Sequence, residues 1–144
     1  MCSSDLVGRK RINDRIEAAI AVARLFGHNL TMAANVNIEH VRWALEELSD
    51  EREQVRLWLS DGSAGKEVSS FVEAQCILFD DSGLGYALET NSTGLGEQID
   101  SQLVLIGALL RRIDSGRSPQ DIIADPLMSR VRAAAAETLQ ALQT

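Results

Sequence analysis

At 144 residues the chain is long enough to bury one sizeable core without disulfides or metals, and we expect a single helical domain over residues 1–144. Its 45% apolar and 24% charged residues are typical of a soluble globular protein, and its 4% of aromatic residues leave Leu, Ile, Val and Ala to build the core, which favours packed helices over a sheet. The net charge is −7, and the segment that holds the excess acids argues against a nucleic-acid surface there, because phosphate binding needs clustered cations. We expect no nucleic-acid partner.

The sequence shows no signal for export or membrane insertion. The amino-terminal residues MCSSDLVGRKR become charged almost at once, and the apolar run Leu103 to Leu110 is far shorter than the roughly 20 residues of a membrane span. We therefore expect a soluble, cytoplasmic protein with no membrane association. Cys2 and Cys76 are too few and too far apart to indicate a disulfide framework, so we expect free thiols, with Cys76 in the core.

The excess negative charge lies in one segment. No Lys or Arg occurs between Lys66 and Arg111, whereas seven acids do, and the other 14 acids balance the 14 bases. These seven acids are Glu67, Glu73, Asp80, Asp81, Glu89, Glu97 and Asp100. This acidic segment, residues 67–110, would suit a basic partner protein or a hard cation.

Two amphipathic helices are predicted in the first part of the chain. From Asp5 to Phe26 apolar residues recur on one face, beside a basic cluster of Arg9, Lys10, Arg11 and Arg15. The second helix is predicted from Ile38 to Leu59, with Asn37 as its cap and Val36 packing against Val41.

The middle of the chain is predicted to contain one helix followed by an irregular segment. The apolar spacing favours a helix from Gly65 to Phe79, with a buried strand as the alternative. The segment from Asp80 to Gly96 contains four glycines and is predicted to hold only a short helical turn at Tyr86 to Glu89. Because long loops within compact domains are often functional, this segment is a candidate site.

The stretch from Gln98 to Asp114 is predicted to form the central helix of the fold. Its octet Leu103 to Leu110 is apolar on nearly all sides, and such a helix belongs in the middle of a fold, hidden by its neighbours. Two further helices are predicted at Pro119 to Ala124 and Pro126 to Leu142, each starting with a capping residue and a proline. The expected fold is all-α, a compact bundle of five to six helices around a central hydrophobic helix at about residues 97–114.

No catalytic or cofactor-binding constellation is evident. His28 and His40 are the only histidines, neither forms a metal-binding motif, and His40 suits a solvent-facing or capping position. The sequence Gly62 to Lys66 lacks the first glycine and the Ser/Thr of a phosphate loop, so a flexible connection is expected there. If Asp80 were the first residue of an EF-hand calcium loop, the apolar Leu84 would stand at a ligand position, so the segment does not match an EF-hand. We therefore expect no cofactor and no catalytic residue.

The interpretation that these observations favour is a non-enzymatic, acidic helical protein that binds another protein, of the inhibitor, immunity-protein, chaperone or adaptor type. The candidate contact residues are Asp80, Asp81, Tyr86, Glu89 and Glu97, and the expected partner has a basic surface. The alternative is a small helical enzyme, or a ligand- or divalent-metal-binding protein, that uses the Gly-rich loop 80–100 with Glu97, Asp100 and Arg111 or Arg112. A homodimer that pairs helix faces not used internally is a third possibility.

Overall fold

The computed structural model describes residues 36–143. This part of the chain contains seven α-helices and no strand. The helices are α1 (Ile38–Ser49), α2 (Glu51–Trp58), α3 (Phe71–Cys76), α4 (Leu84–Glu89), α5 (Glu97–Arg112), α6 (Pro119–Ala124) and α7 (Pro126–Gln143). A 3-10 turn lies at Ser63–Gly65 and a π-helical turn at Ile77–Asp81. The prediction of a compact all-α bundle is confirmed. The predicted first helix, Asp5 to Phe26, lies outside the described residues.

The predicted second helix, Ile38 to Leu59, is in fact two helices that meet at Asp50. The side chain of Asn37 caps α1 as predicted, since it accepts a hydrogen bond from the backbone N–H of His40 at 3.2 Å. At Asp50 the backbone is extended (φ −123°, ψ 108°), and its carboxylate accepts hydrogen bonds from the N–H groups of Arg52 and Glu53. The prediction of one helix was wrong because Asp50 ends α1 and caps α2, a position that Asp prefers to a helix interior.

A buried glutamine joins four helices at this break. Gln54 of α2 is fully buried, and its Nε2 donates to the carbonyls of Glu47 at 3.1 Å and Leu48 at 2.9 Å, near the end of α1. Its Oε1 accepts a hydrogen bond of 2.9 Å from Arg132 of α7, which also donates to the carbonyl of Ile123 in α6 at 3.3 Å. The break between α1 and α2 is therefore stabilised by side-chain hydrogen bonds.

Helix α3 begins at Phe71, later than the predicted start at Gly65. Ser70 is extended, and its hydroxyl accepts a hydrogen bond from the N–H of Glu73 at 3.0 Å, which caps the helix. The choice of helix over strand was correct. The helical segment does not end at Phe79 as predicted but continues through the π-helical turn to Asp81.

Cys76, at the end of α3, lies in the core as predicted, with 4% of its surface exposed. The expectation of a free thiol at this position is wrong, because Cys76 is disulfide-bonded. Cys2 lies outside the described residues.

Phe79 lies where two glycines allow close packing, one against its backbone carbonyl and one against its ring. A Cβ atom added at Gly85 of α4 would lie 3.1 Å from the carbonyl oxygen of Phe79, and one added at Gly107 of α5 would lie 3.2 Å from its ring carbon Cζ. The two glycines therefore bring α4 and α5 close to the π-helical turn. Helix α4 starts two residues before the predicted turn at Tyr86 and ends, as predicted, at Glu89.

Helix α5 forms where the central helix was predicted, and it buries one side. Its buried side chains are Leu103, Ile106, Leu109 and Leu110, and it packs chiefly against α7. The expectation that the whole apolar octet is hidden from water is wrong for Val104 and Leu105, which are 54% and 46% exposed.

The last two helices form within one residue of their predicted bounds. Ser118 caps α6 and Asp125 accepts a hydrogen bond from the N–H of Leu127 at the start of α7. Helix α7 packs against both α1 and α5 and contributes Met128, Val131 and Ala135 to the core. Among the described residues no helix is both long and apolar enough to cross a membrane.

Candidate functional site

The five predicted contact residues lie on three consecutive elements. Asp80 and Asp81 lie in the π-helical turn, Tyr86 and Glu89 lie in α4, and Glu97 is the first residue of α5. Asp81, Glu89 and Glu97 are exposed, whereas Asp80 and Tyr86 are half-buried.

An open cleft of about 670 Å³ lies where α4, the following loop and the start of α5 meet. It is lined by Leu88, Asn91, Thr93, Gly94, Gly96, Glu97, Asp100, Ser101 and Val104, and we call it the acidic cleft. Of the five predicted residues, only Glu97 lines it; Glu89 directly follows Leu88 at its margin.

The loop from Asn91 to Gly96 holds its shape through unusual backbone angles and one buried hydroxyl. Asn91, Gly94 and Gly96 have φ angles of 52°, 70° and 101°, a region that most side chains avoid. The hydroxyl of Thr93, whose residue is 7% exposed, donates to Oδ1 of Asp100 at 2.6 Å and accepts from the N–H of Leu95 at 3.2 Å. Thr93 thereby fixes the orientation of the Asp100 carboxylate in the acidic cleft.

The chemistry of the acidic cleft combines negative charge with apolar surface. Glu97 and Asp100 supply two carboxylates, and neither makes an ion pair with a residue of the described range. Leu88 and Val104 supply apolar surface, and the exposed Leu105 follows Val104 on α5. Such a surface can bind a cation that is attached to an apolar group, such as an Arg or Lys side chain of another protein.

A metal centre lacks a suitable set of ligands in the described part of the chain. No group of three or more His, Cys, Asp or Glu side chains between residues 36 and 143 lies close enough together to hold a metal ion. His40 instead contributes its backbone N–H to the Asn37 cap, and its ring lies 5.3 Å from that of Trp43, centroid to centroid.

A second open cleft, of about 730 Å³, lies beside the predicted flexible connection at Gly62 to Lys66. Arg56 lines it but is bound to Glu53 at 2.8 Å and lies 4.0 Å from Glu67. Lys66 lines the cleft as well, together with Asp61 and Glu67. Because these carboxylates and Glu53 offset the two cations, the cleft gives a phosphate group little net attraction.

Sequence reasoning missed the hydroxyl of Thr93 and the exposure of Val104 and Leu105. The exposure of Val104 and Leu105 could not be predicted from the octet itself, because eight consecutive apolar residues do not indicate which of them face solvent. A signal was present in the polar residues: Glu97, Ser101 and Arg112 recur at helical spacing on the side that carries Val104 and Leu105. Comparison of the chain with protein-family models, with curated proteins and with solved structures gave no match.

Proposed function

We propose that this chain is a non-enzymatic binding protein that acts by contact with another protein through the acidic cleft and the adjoining surface of α5. The observation that carries the proposal is the exposure of Val104 and Leu105 on the same helix as Glu97, whose carboxylate lines the acidic cleft with Val104 and has no ion-pair partner among residues 36–143. Exposed apolar side chains bordered by polar groups are typical of protein interaction sites.

The charge of the surface indicates the kind of partner. The acidic segment contributes seven carboxylates and no cation between Lys66 and Arg111, and two of those carboxylates line the acidic cleft. A partner with a basic, partly apolar surface would gain attraction during approach and would cover Val104 and Leu105 when bound. Inhibitors, immunity proteins, chaperones and adaptors all work by contacts of this kind.

The remaining sequence-predicted residues stay proposed contributors to the same surface. Asp81 and Glu89 are exposed on the elements that precede the cleft, and Asp80 and Tyr86 are half-buried there. The contribution of the acids among them is to long-range attraction of a basic partner, since only Glu97 of the five lines the acidic cleft.

Nuclear magnetic resonance titration with a synthetic amphipathic helix of leucine and lysine tests the proposal. At low protein concentration and low salt, we expect shift changes confined to residues 81–105. The double variant Glu97→Gln, Asp100→Asn should weaken peptide binding about tenfold, because it removes two charges. The asparagine amide oxygen at position 100 can still accept the hydrogen bond of Thr93, so the loop keeps its shape.

The control removes the same charge elsewhere on the protein. Glu46 of α1 and Glu137 of α7 are exposed, and the variant Glu46→Gln, Glu137→Gln should bind the peptide as the wild type does. Equal weakening by both double variants would show attraction to net charge alone and would contradict the proposed surface.

A further inference from the structure

The outward side of α5 has an apolar centre and opposite charges at its two ends. Val104 and Leu105 form the centre, and Ser101 and Ala108 lie one turn to either side of it. Glu97 begins the helix, Arg112 ends it, and both are exposed. We call these six residues the outer face of α5.

The two end charges have no partner within the described chain. Neither Glu97 nor Arg112 makes an ion pair with another residue between 36 and 143. The outer face therefore offers both an acidic group and a basic group to a molecule that docks on it.

The outer face is symmetric about the point between Val104 and Leu105. Ser101 and Ala108 lie at equal separations from that point in the sequence, and so do Glu97 and Arg112. When two such helices pack antiparallel about a two-fold axis at this point, Glu97 of each copy faces Arg112 of the other. Small Ser101 and Ala108 then face each other, so the helices can approach closely and cover the apolar pair.

We infer that the partner of this surface is a second copy of the chain, docked by antiparallel pairing of the outer faces of two α5 helices. The inference rests on the proposed function, because Glu97, Ser101 and Val104 also line the acidic cleft. It names the basic group of the partner as Arg112 of the second copy, with Arg111 beside it.

The helix dipole explains part of this pattern. Acids at the start of a helix and bases at its end stabilise that helix alone, without any partner. The dipole gives no reason for Val104 and Leu105 to lie exposed at the centre, whereas burial by a second copy does.

The size of the outer face indicates a weak dimer. A helix of 16 residues is about 24 Å long. Pairing through one face of such a helix buries less surface on each copy than the roughly 800 Å² per partner of a standard interface. We expect a dissociation constant on the order of 10–100 µM.

Sedimentation equilibrium of the full chain over a range of concentrations tests the inference. Leu105→Asp should weaken self-association at least about tenfold, because it places two carboxylates at the centre of the interface. The matched control is Val55→Asp on α2, since Val55 is 45% exposed and Leu105 46%. This control should leave the dissociation constant unchanged.

Charge reversal separates pairing between copies from the helix dipole. Glu97→Arg and Arg112→Glu should each weaken self-association about tenfold, because each places like charges opposite each other. The double variant Glu97→Arg, Arg112→Glu should restore the dissociation constant of the wild type. The dipole alone predicts the opposite, since both ends of the helix then carry the unfavourable sign. Circular dichroism confirms that each variant is folded.

The outcomes also separate this inference from the proposed function. A monomer at the highest concentration, or a double variant no better than the single ones, would overturn the second copy as the partner. Binding of the leucine–lysine peptide to residues 81–105 would in that case leave the proposed function standing. If the wild type neither self-associates nor binds the peptide, both the inference and the proposed function are overturned.

Discussion

At the scale of single residues, Asp125 shows how one carboxylate can join two parts of the chain. Its Oδ1 accepts from the N–H of Leu127 at 2.7 Å, and its Oδ2 accepts from Arg117 at 2.6 Å. The hydrogen bond from Leu127, and then the guanidinium of Arg117, hold the pKa of Asp125 below its ordinary value. Asp125 therefore caps α7 and attaches it to the loop before α6.

We predict that Asp125 makes the protein less stable in acid. A carboxylate whose pKa is lower in the folded state stabilises the fold above its unfolded pKa, and this stabilisation is lost as the pH falls through the folded pKa. As the pH falls below about 4, the melting temperature of the wild type should therefore decrease more steeply than that of Asp125→Asn. Asn can still cap a helix but does not titrate, so it is the matched variant. Parallel pH profiles for the two proteins would contradict this role.

At the scale of elements, the predictable helix bounds are those set by local caps. Asn37 starts α1, and Ser118-Pro119 and Asp125-Pro126 start α6 and α7 within a residue of prediction, because their side chains satisfy backbone N–H groups nearby in the sequence. The break at Asp50 also has a local cap, whose carboxylate accepts from the N–H groups of Arg52 and Glu53, but it was missed because the apolar spacing of a helix runs on through it. It is stabilised by Gln54 and Arg132, which lie 78 residues apart, and helical periodicity carries no information on such a contact.

The two glycines that contact Phe79 allow a prediction about packing between elements. Replacing Gly by Ala in a helix should stabilise it by roughly 1 kcal/mol when space permits. At Gly85 the new Cβ would lie 3.1 Å from a backbone carbonyl that cannot move freely, so Gly85→Ala should destabilise the fold by about 1 kcal/mol. At Gly107 the new Cβ would meet the tip of a half-buried ring, so Gly107→Ala should be less costly.

Urea denaturation of both variants measures this difference, and a second change identifies its cause. Phe79→Leu removes the ring carbon Cζ, so Gly107→Ala should be more favourable in that background than in the wild type. An equal effect in both backgrounds would show that Phe79 is not the limiting contact.

At the scale of the whole molecule, the sequence allowed prediction of the fold class but only part of the candidate site. Low aromatic content favoured packed helices over a sheet. The helical spacing of apolar residues indicated an all-α bundle, because it reflects how each helix buries one face. The acidic cleft was only partly predictable. Glu97 and Asp100 were visible as acids, but which side of the apolar octet faces solvent depends on where α7 packs.

The hydrogen-bond network of Gln54 extends across α1, α2, α6 and α7, so its loss should affect the cooperative unfolding of the described bundle. Gln54→Leu keeps a similar volume but leaves two carbonyls of α1 without their donor and removes one of the acceptors of Arg132, which keeps the Ile123 carbonyl and Glu51. Because unsatisfied buried polar groups cost about 1–3 kcal/mol each, the free energy of unfolding should fall by about 3 kcal/mol in urea denaturation. Gln140→Leu, at an exposed position of α7, should leave it within about 0.5 kcal/mol of wild type.

A double-mutant cycle with Arg132→Met tests whether the two side chains act together. If Gln54 and Arg132 form one network, Arg132→Met should cost less in the Gln54→Leu background than in the wild type, because their shared hydrogen bond is already lost. The ion pair of Arg132 with Glu51 at 3.4 Å remains in that background, so part of the cost of Arg132→Met persists. Strictly additive costs would show that the buried glutamine stabilises the end of α1 alone, and that α7 is held to the bundle by its apolar contacts with α1 and α5.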